Sequence, residues 1–320
     1  MSQTTAQLVS EINGGPIAGS RNRIMNGDMR VDQRYSGAGT SVVNGTATYP
    51  VDRFYIFENT SAVLSCQQGP GPDNSLKNAS VQVGTAGSAT SAQLAVFRQR
   101  IEGQNVSDFL YGTASAISST LSFWVQSSVP GIYCVSLSNN AQDRSYVVEY
   151  IIAAANTWEK KTILIPGDVS GTWLTDNNIG IQLTWDLGSG SDYNGTNSAW
   201  QAGIETRTTN QTNWINNAAA TFRLSGVQLE TGNVATPFER RSYGQELALC
   251  QRYYQTFGVN VANGANASNV QFSGLLSVPM RATPLIITPV GTSMSVTEIS
   301  WAVSVPPGGS SSAAALSADL

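Results

Sequence analysis

The 320-residue sequence contains no histidine. That absence removes Ser-His-Asp and Cys-His catalysis, and every histidine-based metal site, in one step. Cysteine is nearly as scarce. Cys66, Cys134 and Cys250 are odd in number and widely spaced, which supplies neither a disulfide framework nor a metal-ligand pattern. They read as small buried thiols. Charged residues make up 12% of the chain and the net charge is −4, with no basic stripe; a nucleic-acid partner is therefore not expected. No apolar run is long enough to span a bilayer, and the N-terminus lacks a hydrophobic signal core, so neither membrane insertion nor export by a signal peptide is expected. No repeat period is visible, which excludes a solenoid. The run Gly188 to Ser191 (GSGS) is followed by no helix, so it is neither a nucleophile elbow nor a phosphate loop.

What is present points to β-structure. Gly, Ser, Thr and Asn are plentiful, while aromatic and β-branched residues recur throughout, which argues against disorder. A chain of this length exceeds one compact core. Residues 1–20 are polar and broken at Gly14-Gly15-Pro16, the pattern of an anchoring arm that orders against a partner. From 21 to 240, short strand patterns alternate with turn clusters: Arg53 to Phe57, Ala92 to Ile101, Thr120 to Gln126, Gly131 to Ser138, Ser145 to Ile152, Lys160 to Pro166 and Ile179 to Leu187. This spacing predicts an all-β, antiparallel sandwich. Thr221 to Glu230 reads as its final strand, with Phe222 and Leu224 toward a core and Val227 and Leu229 as further candidates.

Thr231-Gly232-Asn233 is turn chemistry, and Pro237 delays any helix. Ser242 and Gln245 have capping-box spacing, and a short linking helix is expected over 241–257. Leu247, Cys250 and Tyr254 fall on one face of it, with Leu249 and Tyr253 beside them. Leu247, Leu249, Tyr253 and Tyr254 are therefore candidates for an oligomer interface around a trimer axis, burial within the monomer being the equal alternative. Residues 258–320 read as a small C-terminal β domain, with strands in 270–280, 284–290 and 295–305 and a loop at Pro306 to Gly309. A unit of that size buries little surface alone and often leans on oligomerisation.

Three stretches carry a family resemblance. The junction from Gly226 to Tyr254, the opening NRIMNGDMRVDQR (Asn22 to Arg34) and YPVDRF (Tyr49 to Phe54) resemble virion proteins of tailed bacteriophages, of the tail-fibre and adhesin type. Trp158 before KKTILIP, the strand region Ser115 to Ser128, NGDM at Asn26 to Met29 and the closing RLSGVQL resemble a carbohydrate-binding-module jelly roll. In such modules an acidic opening and an Asp on the closing strand share a structural calcium ion. Here Arg30 stands in place of the opening glutamate and Ser225 or Gly226 in place of the Asp, so no metal or other cofactor is expected.

For a carboxylate-pair glycosidase the candidates are Asp28, Asp32, Asp52, Glu58, Glu102, Asp108 and Asp186, none of which sits in a recognisable motif, and solvated surface or turn acids are the favoured reading. Asp52-Arg53 reads as an ion pair or cap tying the arm to the sandwich. Sugar binding calls for Trp or Tyr rings beside amides and carboxylates. Trp124 lies in an apolar strand and reads as core. Trp173, Tyr193, Trp200 and Trp214 sit in or beside Asn- and Thr-rich loops and are the candidate carbohydrate contacts, closure of the core by strand-end tryptophans being the competing reading.

The resemblance implies a non-enzymatic structural subunit of a virion appendage, made in the host cytoplasm, binding host-surface glycan and docking on other virion proteins through its arm. A head-decoration protein and an appendage depolymerase are the alternatives. Because Arg30 and Ser225 replace calcium ligands, a chelator is expected to leave the thermal midpoint unchanged. A fall of several degrees in a melting scan would show that other oxygens hold an ion.

Overall fold

The computed structural model describes residues 21–73, 76–258, 270–274, 278–282, 285–287, 293–296, 301–305 and 313–319. The arm 1–20 and the loop at 306–309 lie outside them. Two antiparallel sheets face each other as a jelly-roll sandwich. The first runs in the order β1 (Thr40–Ser41), β4 (Val63–Pro70), β5 (Lys77–Thr85), β13 (Thr221–Thr231), β7 (Ser119–Ser127) and β10 (Glu159–Ile165). The second runs β12 (Ala199–Ala202), β9 (Arg144–Ile152), β8 (Gly131–Ser138), β11 (Ile179–Asp186), β6 (Ala95–Glu102), β3 (Phe54–Glu58) and β2 (Thr48–Val51). The chain passes repeatedly from one sheet to the other, so neighbouring strands are mostly distant in sequence.

Period-two alternation builds the core between the sheets. Leu121, Phe123 and Val125 of β7, Ala79, Val81 and Val83 of β5, and Phe97, Leu183 and Trp185 opposite them are all buried. Each such large side chain contributes about 1.5–3 kcal/mol on leaving water. β13 needs one further device. Phe222 and Leu224 point inward on even positions, but Val227 and Leu229 are also fully buried. An extra residue must switch the parity, and the register with β7 does shift between Ser225 and Gln228. Gly226 occupies that bulge at φ +55°, a conformation glycine adopts without a Cβ penalty.

The opening segment is sewn to this strand. The Asn22 Oδ1 accepts from the amides of Ile24 (3.0 Å) and Leu229 (3.1 Å), and its Nδ2 donates to the Val227 carbonyl at 3.0 Å. Gly27 lies so close that a Cβ there would stand 2.2 Å from the Val227 oxygen. Arg30 donates its Nε to Asp28 and its Nη2 to the Arg241 carbonyl at 2.9 Å. A guanidinium thus neutralises the acid that the resemblance associates with calcium.

Helix α1 (Tyr243–Gln251) starts with the expected capping box of Ser242 and Gln245. It is shorter than 241–257: the chain turns at Arg252-Tyr253, and Tyr254 opens β14 (Tyr254–Gly258), pairing with Ser317 of β19 (Ala313–Ser317). β14, β19 and β16 (Leu285–Ile287) form one small sheet, and β15 (Val270–Gly274), β18 (Trp301–Val305) and β17 (Ser293–Val296) another. Polar contacts fix the residues after the helix to the second sandwich sheet. Glu102, fully buried, accepts from the Tyr253 hydroxyl at 2.6 Å and pairs with Arg252 (3.2 Å) and Arg281 (3.6 Å). Arg53 stacks on Tyr253 at 3.3 Å, and Arg34 lies over Tyr254 at 3.7 Å. Tyr253 and Tyr254, expected at an oligomer contact, are thus buried within this chain. Leu247 and Leu249 are half-buried.

Asp52 and Arg53 do not pair with one another. Asp52 pairs with Arg34 at 3.2 Å, and Arg34 reaches on to Asp319 at 2.5 Å. Burial outweighs Arg34 and raises the Asp52 carboxyl from 3.8 to about 6. The folded state then holds a proton that the unfolded chain releases between about pH 4 and 6, so this group alone lowers stability as pH rises through that window. The effect is on the order of 3 kcal/mol at neutral pH. In paired urea titrations at pH 7 and pH 5, Asp52→Asn should lose the wild-type component that strengthens on acidification. An identical pH dependence in both proteins would contradict the assignment.

Candidate functional site

The two outer faces of the sandwich differ. On the seven-stranded sheet, Ser136, Ser138, Gln182, Thr184 and Asp186 alternate with core residues yet are all buried. The segment after β12 folds back here: Thr206 Oγ1 and Gln211 Nε2 donate to Asp186 at 2.6 Å each, and Thr208 donates to Glu149 at 2.6 Å. Asp186 also accepts from the amides of Gly188 and Ser189. This face is occupied by the chain itself.

The six-stranded sheet keeps an open outer face, with Ser65, Gln67, Gln82, Lys160 and Thr162 exposed. Its registers create a row perpendicular to the strands. Gln67 stands opposite Ser80, Ser80 opposite Arg223, and Arg223 opposite Gln126. Glu159 pairs with Val125, so antiparallel continuation sets Trp158 beside Gln126. Five adjacent strand positions therefore present Gln-Ser-Arg-Gln-Trp on one line, about 19 Å from end to end at the usual strand spacing. A groove of about 410 Å³ follows this line. Gln82 and Thr221 line one side, and Asn78, Gly69 and Pro70 the other.

Hydrogen bonds hold the row in place. Arg223 donates to the Gln126 Oε1, and the Gln126 Nε2 donates to the Asn156 carbonyl at 2.8 Å. The Ser80 hydroxyl donates to the Gln67 carbonyl at 2.9 Å. Asn78 is 2% exposed and donates to the Pro70 carbonyl, while its Oδ1 has no hydrogen-bond partner. Trp158 is half-buried at the end of the line. A flat indole beside amides, a hydroxyl and a guanidinium is the chemistry that receives a sugar ring and its hydroxyls.

The residues expected to contact sugar are placed differently. Trp173 and Trp200 come together, ring centroids 5.5 Å apart and edge to face, each also edge-on to Tyr111. Their indole nitrogens are satisfied internally, Trp200 by the Pro166 carbonyl at 2.8 Å and Trp173 by the Ser170 carbonyl at 3.1 Å. The Arg144–Asp168 ion pair (2.5 Å) lies beside them. The cluster packs on the core and closes one end of the sandwich; Trp173 also lines a cavity of about 320 Å³ with Tyr111 and Leu174. Tyr193 stands apart, half-buried, its hydroxyl donating to the Ala92 carbonyl. Trp214 is a core residue: it is completely buried and edge-on to Phe222, so no sugar can stack on it. Trp124 departs from expectation in the other direction. Its neighbours Phe123 and Val125 fill the core, so alternation turns Trp124 to the outer face, opposite Lys160.

In the sequence, Trp158 stands out only as the residue shortly before a strand. The available signal was its offset of one residue from β10, which gives it the outward parity of Lys160, Thr162 and Leu164. No group of three or more His, Cys, Asp or Glu residues able to hold a metal occurs among the described residues, and no described helix is long and apolar enough to cross a membrane.

No family model and no curated protein matches the chain. Solved structures give low-identity matches. A structure described as a family 4 carbohydrate-binding module is 16% identical over 67% of this chain and 100% of its own, with a TM-score of 0.34. The enzymatically active domain of tailspike protein 4 from bacteriophage CBA120 is 9% identical over 66% of this chain, TM-score 0.34, and only 22% of that chain is covered. The family 11 carbohydrate-binding module of the Clostridium thermocellum cellulase Lic26A-Cel5E is 13% identical over 63% of this chain and 99% of its own, TM-score 0.32.

The two kinds of tryptophan should separate on mutation. Trp214→Ala is expected to cost about 3–5 kcal/mol in urea unfolding, as a large cavity in the core does. Trp158→Ala should cost less than about 1 kcal/mol. Equal losses for the two would refute this division between core and groove.

Proposed function

We propose that this chain is a non-enzymatic, glycan-binding subunit of a tailed-phage virion appendage, and that it binds along the Gln67–Ser80–Arg223–Gln126–Trp158 row. The observation that supports this most is the row itself: an aromatic plane and four polar side chains, in register on an outer face that carries exposed residues among the described ones. A single stacked ring adds only about 0.5–1.5 kcal/mol beyond its buried area. Adhesion then relies on several copies engaging one surface together.

The fate of the acids supports a binding rather than a hydrolytic role. The seven carboxylates named as candidates for a glycosidase are engaged by the chain itself. Asp28 meets Arg30, Asp52 meets Arg34, Asp108 meets Arg23 and Glu102 meets Arg252 and Arg281. Asp32 accepts from the amides of Tyr35 and Gly37, Glu58 from Asn44 and Thr60, and Asp186 from four donors. The virion role rests on the resemblance of residues 22–34, 49–54 and 226–254. A homotrimer joined through the helix and the C-terminal unit, with the arm on another virion protein, is part of the same proposal; the half-buried Leu247 and Leu249 are the helix positions it retains.

An array of bacterial envelope polysaccharides, probed with the intact chain, tests the binding role. The wild type should retain glycans and release no reducing sugar, and Trp158→Ala should lose binding by about tenfold while melting like the wild type. Undiminished binding by Trp158→Ala, with loss on Trp173→Ala, would move the site to the end cluster. Release of reducing sugar would replace a binder with an enzyme.

A further inference from the structure

The groove along the transverse row is one-sided in charge, although the protein as a whole is acidic. None of its lining residues carries a carboxylate. Arg223 stands at its middle and is half-buried, and among the described residues it makes no ion pair; its guanidinium donates to the neutral Gln126 Oε1. Lys160, exposed on the same face, lies opposite Trp124 and also lacks a carboxylate partner among the described residues. The nearest acid in sequence, Glu159, is engaged elsewhere: Lys161 Nζ lies 2.6 Å from it, and the amides of Ala153 and Ala154 donate at 2.8 and 3.0 Å. Asp73, in the turn between β4 and β5, faces Arg240 at 3.8 Å.

A guanidinium without a counter-ion, surrounded by amides and hydroxyls, is a receptor for a carboxylate or another oxyanion, which it can meet through paired N–H donors. Neutral sugar hydroxyls alone would leave this charge uncompensated. We propose, building on the glycan-binding reading above, that the groove selects an acidic saccharide, a uronate or comparable acid-bearing unit, whose carboxylate is received by Arg223. Arg223 and Trp158 are two strand spacings apart, roughly 10 Å. That is wider than one pyranose ring, so the charged unit and the unit stacked on Trp158 are neighbours in one oligosaccharide. Lys160 adds attraction over a longer range, and the whole charge term weakens as salt rises.

The test uses the full chain against polygalacturonate and hyaluronan, each beside its carboxyl-reduced, uncharged form, with the envelope polysaccharide array alongside. The wild type should bind at least one polyuronate about tenfold more tightly than its reduced form, less so in high salt. Arg223→Gln should erase that difference while melting normally, and Arg223→Lys should restore part of it. Equal or tighter binding of the reduced forms, or retention of neutral glycans only, would overturn the acidic preference and leave glycan binding intact. Failure to retain any glycan, acidic or neutral, would instead remove the glycan-binding reading and this inference with it.

Discussion

The register of β13 between β5 and β7 is the constraint on which the rest of the sandwich depends. With Phe222 and Leu224 held inward, Arg223 must point outward, opposite Ser80 on one side and Gln126 on the other. A slip of one residue would drive a guanidinium into the core and expose two large apolar side chains, because strand side chains alternate with period two. The register is fixed from outside the sheet as well. The buried Asn22 amide bonds to both Val227 and Leu229, and Gly27 leaves room for no side chain against Val227. The bulge at Gly226 then lets one strand present two inward phases without losing its neighbours. Core, groove and opening segment are three consequences of one alignment.

The same economy of buried polar groups explains why one outer face is available and the other is not. On the seven-stranded sheet, the buried acids Asp186 and Glu102 are engaged by the chain's own loops and by the residues after the helix. Asp186 takes four donors, and Glu102 is surrounded by Tyr253, Arg252 and Arg281. Leaving such groups unpaired and buried would cost more than any single contact contributes. On the six-stranded sheet Ser65, Gln67, Gln82, Lys160 and Thr162 remain exposed, and Arg223 and the Asn78 Oδ1 keep unused bonding capacity. The proposed adhesion draws on that remainder.

Much of the sandwich was legible in the sequence, because its strongest strands carry clean alternation. The expected run Gly131 to Ser138 coincides with β8, and Thr120 to Gln126 falls one residue short of β7 at each end. The helix start was legible from Ser242 and Gln245. The strands that line the groove were not. β4 and β5 read VLSCQQGP and KNASVQVGT, and their outward Gln, Ser, Asn and Gly residues resemble loop composition. The row is illegible for a further reason: it joins residues 67, 80, 126, 158 and 223, and periodicity within a strand says nothing about which strands pair. Trp214 misleads for the opposite reason. Apart from Ile215 the residues around it in sequence are polar, but the short 3₁₀ turn from Trp214 to Asn216 carries the indole inward onto Phe222.

The most direct test of the central claim is the indole N–H spectrum of the intact chain as an acidic oligosaccharide is added. The chain has seven tryptophans, and the account assigns them different fates. The Trp158 signal should shift with ligand, accompanied by the backbone amides of Gln67, Ser80, Arg223 and Gln126. Those of Trp173, Trp200 and Trp214, whose rings are packed into the end cluster and the core, should stay in place. A shift confined to Trp173 and Trp200, with Trp158 and the row unmoved, would contradict the account.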